Sequence, residues 1–239
     1  MAEPSRNSDS ALARLFPDGG LFARLRAAAA PDWQAYTGHE FVRRLGDGTL
    51  PEACFRHYLV QDYLFLIHFA RAYALAAYKS DTLDDIRAAS RTVAALVDTE
   101  ILFHVKYCAG WGLSEADMQA TPEATANMAY TRFVLERGAA GDVLDLYTAL
   151  APCVVGYAEI GILLDGDAAT LRDGNPYGEW IAMYAGDAYQ AVAQGAARQL
   201  DDLALRRGGA ARFVSLAATF SAATRLEVGF WDMGLAAAQ

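Results

Sequence analysis

Apolar residues recur at three- and four-residue intervals along most of the chain, and turn residues separate the runs. That period is the signature of amphipathic helices. A first helical region is expected from Leu21 to Tyr36, broken or kinked at Pro31, and a short helix from His39 to Leu45, ended by Gly46-Asp47-Gly48. A long helix begins near Pro51, where proline suits the first turn, and runs to about Lys79. Thr82 and Asp85 have the spacing of a capping box and open the next helix, to about Trp111. Ser114 and Asp117 repeat the signal on a short turn. Further helices are expected from Thr121-Pro122 to Gly138, over Asp142–Leu164 with Pro152 inside, over Pro176–Leu205, and over Ala211–Leu235. No segment sustains the period-two alternation of a strand, so no sheet is expected. Short connections between helices predict antiparallel neighbours in an all-α helical bundle. One domain is expected over residues 13–239, preceded by a disordered tail at 1–12.

Composition agrees with that reading. Of 239 residues, 54% are hydrophobic and 21% charged, which suits a globular chain with a sizeable core. The net charge of −9 repels phosphate backbones, and no run of Lys or Arg offers an exception beyond the pair Arg206-Arg207, so no nucleic-acid partner is expected. The three cysteines, Cys54, Cys108 and Cys153, have neither disulfide-framework nor zinc spacing. The polar N-terminus lacks the apolar core of a secretory signal, and a cytoplasmic location is expected. The most membrane-like stretch, Leu146–Leu164, contains Pro152, Glu159 and two glycines and reads as a buried helix, so no membrane partner is expected.

Candidate chemistry lies where polar residues interrupt apolar helix faces. Asp62 shares a face with Tyr58, Leu59, Phe65 and Leu66. A carboxylate among aromatic rings costs several kcal/mol unless it is hydrogen-bonded or paired. It is either tied to a neighbouring helix or part of a binding site. Cys153 follows Pro152 and stands one turn before Tyr157; a proline inside a helix frees a carbonyl and can turn a side chain into a cavity. The alternative is a small buried apolar side chain, the usual fate of a free cysteine. Glu227 lies on a face with Phe230 and Trp231, and Glu159 lies beside Val155, Ile162 and Leu163, where it can orient neighbours. Tyr130 and Tyr184 fit core positions with satisfied hydroxyls. Glu100 and His104, four apart, could join Asp62, His68 or Glu159 in a metal site, but the paired Glu-x-x-His spacing of di-iron bundles is absent.

Five segments in order resemble the TenA/thiaminase II family, which has a haem-oxygenase-like helical fold. They are Gly46-Asp47-Gly48-Thr49-Leu50-Pro51, Tyr58 to Tyr63, Ala151 to Gly161, Asn175 to Tyr184, and Glu227-Val228-Gly229-Phe230-Trp231. The resemblance implies that Cys153 is a nucleophile, that Asp62 grips an aminopyrimidine, and that Glu227 is the acid/base. It places the substrate-binding aromatics at Tyr130, Tyr157, Tyr184 and Phe65. Phe65 departs from the family, where tyrosine is common, so one hydroxyl is missing here. The implied activity is cysteine-dependent hydrolysis of aminomethylpyrimidine, or of thiamin, to hydroxymethylpyrimidine in thiamin salvage. The resemblance also implies no metal or cofactor, a small pyrimidine as partner, and a homotetramer. The alternatives are a metal-dependent oxidase on the same fold, a hydrolase of another heterocycle, and a non-enzymatic regulator.

Overall fold

The computed structural model describes residues 19–238; the expected tail at 1–12 lies outside them. All regular elements among the described residues are helical. They are α1 (Leu21–Ala28), α2 (Ala30–Thr37), α3 (Glu40–Gly46), α4 (Glu52–Lys79), α5 (Leu83–Ala95), α6 (Ile101–Ala109), α7 (Glu115–Ala120), α8 (Thr125–Ala140), α9 (Val143–Gly166), α10 (Gly178–Ala185), α11 (Asp187–Arg206) and α12 (Phe213–Ala236). A π-helical turn, Leu96–Glu100, joins α5 to α6.

Local signals account for most ends. Pro51 precedes α4, Thr82 caps α5 by accepting from the Asp85 N–H, and Ser114 with Asp117 forms a complete capping box on α7. Three expectations need correction. The first break falls at Ala29, which leaves Pro31 in the opening turn of α2, where a missing N–H costs nothing. The eighth helix starts at Thr125 and not at Thr121-Pro122, because the Gln61 side chain takes the chain ahead of it: its Nε2 donates to the Pro122 carbonyl at 3.0 Å and its Oε1 accepts from the Ala124 N–H at 2.9 Å. The stretch expected as one helix from Pro176 to Leu205 begins at Gly178 and is cut at Gly186, whose extended backbone (ψ 148°) separates α10 from α11.

The chain forms two compact units, one from residues up to Leu50 with Thr148–Trp231, the other from Pro51–Tyr147 with the chain from Asp232 onward. In the first, Trp33 stacks on Phe220 at 5.5 Å and Phe22 meets both edge-on. Two of the motif segments meet there. Asn175 donates to the Leu45 and Gly46 carbonyls at 3.2 and 3.0 Å, and the Tyr177 hydroxyl donates to the Leu50 carbonyl. Gly48 supports that turn with φ +76°, a conformation glycine adopts without strain. Asn175 and Tyr177 are therefore scaffold. In the second unit α4 is the central element, and its Lys79 closes the end of α8 by donating to the Ala139 and Gly141 carbonyls. Helix α9 is long and apolar enough to cross a membrane, but 89% of its most apolar window is buried in the protein, as a core helix requires.

Candidate functional site

The candidate residues occupy both units: Asp62, Phe65 and Tyr130 lie in the second, and Cys153, Tyr157, Tyr184 and Glu227 in the first.

Asp62 is 5% exposed at the middle of α4. Its Oδ2 accepts from the Tyr58 hydroxyl at 3.2 Å and is hydrogen-bonded to His104 Nε2 at 2.8 Å. His104, on α6, is fully buried, and its Nδ1 meets the Glu100 backbone carbonyl at 2.8 Å. Burial works to lower the His104 pKa. The hydrogen bond and charge of Asp62, with the charge and carbonyl of Glu100, outweigh burial and hold it above the ordinary value. The carboxylate is thus tied to a neighbouring helix, as one of the two readings of Asp62 requires, yet only one of its oxygens is used. Phe65, one turn on, lies 5.0 Å from the Tyr130 ring and 5.1 Å from Phe69. Beside it, Gln61 also accepts from the Asn127 amide, which anchors the helix that carries Tyr130.

In the other unit the candidates centre on α9. Pro152 has no N–H to offer the carbonyl one turn back, and Cys153 follows it, half-buried. Tyr157 lies one turn further, and four rings surround it: Tyr184 at 4.9 Å, Trp231 at 5.4 Å, Trp180 at 5.8 Å and Tyr36 at 6.5 Å. Glycines make room for this group. A Cβ on Gly156 would stand 2.2 Å from the Tyr36 ring, and one on Gly161 would stand 2.5 Å from the Tyr184 backbone. Glu227, one turn before Trp231 on α12, is 2% exposed.

The remaining polar candidates have structural employment. Glu159 takes a forked pair of bonds from Arg26 (3.0 and 2.6 Å) and a third from the Trp33 indole N–H at 2.9 Å. His68 faces Glu123 and Arg132. Both ring nitrogens of His104 are engaged in hydrogen bonds, and its link to Glu100 is through the backbone and not through the carboxylate. Among the described residues no three His, Cys, Asp or Glu side chains are grouped so as to hold a metal ion. Cys54 and Cys108 are buried, the latter with its thiol pushed up to about 11 by burial. The sequence grouped His104 with Asp62 only as possible metal ligands, and the structure joins them by a direct hydrogen bond; the ring of Tyr36 was not foreseen.

The chain is similar to known proteins over most of its length. The chain is 35% identical over 211 residues to the aminopyrimidine aminohydrolase of Halalkalibacterium halodurans, covering 88% of this chain and 93% of that protein. It is 51% identical to a TenA family transcription regulator from a Silicibacter species, with a TM-score of 0.86 over 92% of this chain and 98% of that one. A Shewanella denitrificans domain with a haem-oxygenase-like fold superposes with a TM-score of 0.68 at 16% identity, over 88% of this chain and 90% of that one, which identifies the fold. The TENA/THI-4/PQQC family profile matches residues 26–237, and the chain belongs to that family.

Proposed function

We propose that the protein is an aminopyrimidine aminohydrolase that converts aminomethylpyrimidine, or thiamin, to hydroxymethylpyrimidine with Cys153 as nucleophile. The observation that carries the reading is Asp62: a buried carboxylate, braced on one oxygen by His104 and Tyr58, with the other oxygen left to accept an N–H. That is the group needed to hold an amino-substituted nitrogen heterocycle, and it occurs in a chain related to an aminopyrimidine aminohydrolase.

The chemical difficulty is an amine that leaves poorly from a methylene on an aromatic ring. Addition of the Cys153 thiolate to the ring breaks aromaticity. The ring electrons then expel the amine, which takes a proton from Glu227. Water adds at the exposed methylene and gives a proton to the Glu227 carboxylate. The ring electrons return, the thiolate leaves, and the net change is amine plus water to alcohol plus ammonia. Asp62 stabilises charge on the ring by accepting its N–H. Phe65 and Tyr130, and separately Tyr157 and Tyr184, supply aromatic surface suited to a flat ring. Phe65 stacks but offers no hydroxyl.

The test is ammonia release and hydroxymethylpyrimidine formation from aminomethylpyrimidine, compared with thiamin at equal concentration. Turnover of the aminomethyl compound supports the reading. Inactivity on both, with turnover of another heterocycle, refutes it.

A further inference from the structure

The proton count at the Asp62–His104 contact assigns His104 a role. The Glu100 carbonyl can only accept, so His104 Nδ1 must carry a hydrogen. One further proton lies between Nε2 and Asp62 Oδ2, 2.8 Å apart. The Tyr58 hydroxyl donates to the same Oδ2. An oxygen that already accepts from the Tyr58 hydroxyl acts as an acceptor towards His104 too, which leaves the proton on Nε2. His104 is then an imidazolium, consistent with a pKa held above the ordinary value. The titratable groups facing it are Asp62 and Tyr58 from α4 and Glu100 from the π-helical turn. Oδ2 is taken by Tyr58 and His104, and Oδ1 is the oxygen left to accept. It therefore admits a ligand N–H, an exocyclic amine or a protonated ring nitrogen, and disfavours a bare acceptor.

We propose that His104 is the positioning residue of the pyrimidine site: it holds Oδ2 and so fixes Oδ1 as the acceptor that selects an amino-bearing ring. The proposal rests on the aminohydrolase reading for the identity of the ring. It follows from the burial of both partners and from the attachment of His104 at its far nitrogen to the main chain, which leaves the imidazole no alternative orientation. The π-helical turn directly ahead of α6 carries the carbonyl that makes this attachment. Such turns occur often at functional sites.

His104→Gln tests it, because the Gln amide can still donate to Asp62 but carries no charge. The expected result is a folded protein whose KM for aminomethylpyrimidine rises about 10- to 100-fold with a much smaller change in kcat. An unchanged KM, or a kcat that falls while KM stays put, overturns the proposal, since loss of a positioning contact to the bound ring shows in KM. Nitrogen-15 NMR of the wild-type imidazoles gives an answer even where the variant does not fold. Protons on both His104 nitrogens at pH 7 support the proposal, and a bare Nε2 overturns it. Absence of wild-type turnover defeats the aminohydrolase reading alone, and the NMR result still decides the state of His104.

Discussion

Gly161→Ala and Gly195→Ala make the same chemical change in two helices and should have opposite effects. A Cβ at Gly161 would lie 2.5 Å from the Tyr184 carbonyl carbon, 2.6 Å from the Ala185 nitrogen and 2.7 Å from the Tyr184 oxygen. Comfortable contact needs about 3.5 Å. These are backbone atoms, so no rotamer relieves the overlap, and α10 must move off α9 by about 1 Å. Overpacking of this kind costs about 1–3 kcal/mol. The gain in helix propensity, about 0.5–1 kcal/mol, is smaller. At Gly195 no atom lies within 4 Å of the added carbon, so only the gain remains. For a chain of this size 1 kcal/mol shifts Tm by about 2–4 °C. Thermal or urea unfolding should therefore place Gly195→Ala above wild type by about 1–4 °C and Gly161→Ala below it. The latter variant also moves Tyr184 relative to Tyr157, now 4.9 Å away, and should raise KM for the pyrimidine. A Gly161→Ala protein that unfolds at or above the wild-type temperature would refute the close-approach argument.

Two further outcomes are expected. Cys54 and Cys108 are buried and the Cys108 thiol is pushed up to about 11, so at pH 8 a disulfide reagent should label one thiol of the native protein quickly, and Cys153→Ser should abolish that fast phase; two fast thiols would contradict the burial pattern. Asp201 accepts from the Phe22 N–H at 3.1 Å, and burial, outweighing the backbone donors, raises its pKa above the usual carboxylate value. The folded state therefore binds this proton more readily than the unfolded state. Its contribution to stability grows as pH falls through the raised folded pKa and is lost as pH rises through it. Asp201→Asn keeps the acceptor without the charge and should match or exceed wild-type stability at pH 7. Wild type should gain on the variant between pH 7 and 4, as read by urea midpoints, and a loss on acidification would contradict the assignment.

Local chemistry carried most of the fold. Ser114 with Asp117 and Thr82 with Asp85 make the predicted caps, because a cap needs only residues within one turn. The breaks that were missed depend on distant groups. The segment before Thr125 is held out of helix by Gln61, more than 60 residues away, and the start of α11 at Gly186 lies where Gln190 reaches back to the Tyr184 and Ala158 carbonyls. The site divides in the same way. The burial of Asp62 and Glu227 could be read from helical spacing, since a carboxylate on an apolar face is conspicuous. The partner of Asp62 was legible only in part: His104, 42 residues further along, was grouped with Asp62 as a possible metal ligand, and spacing could not tell a ligand set from a direct hydrogen bond. Glu159 shows the limit of the same signal: its face resembled that of a functional carboxylate, and it binds Arg26 and Trp33.

The most direct test of the central claim is ammonia release from aminomethylpyrimidine by wild type and by Cys153→Ser, each with and without EDTA. Wild-type turnover should survive EDTA, and the Cys153→Ser protein should lose nearly all turnover while still binding hydroxymethylpyrimidine. Near-normal turnover in Cys153→Ser, or activity removed by EDTA, would contradict the claim.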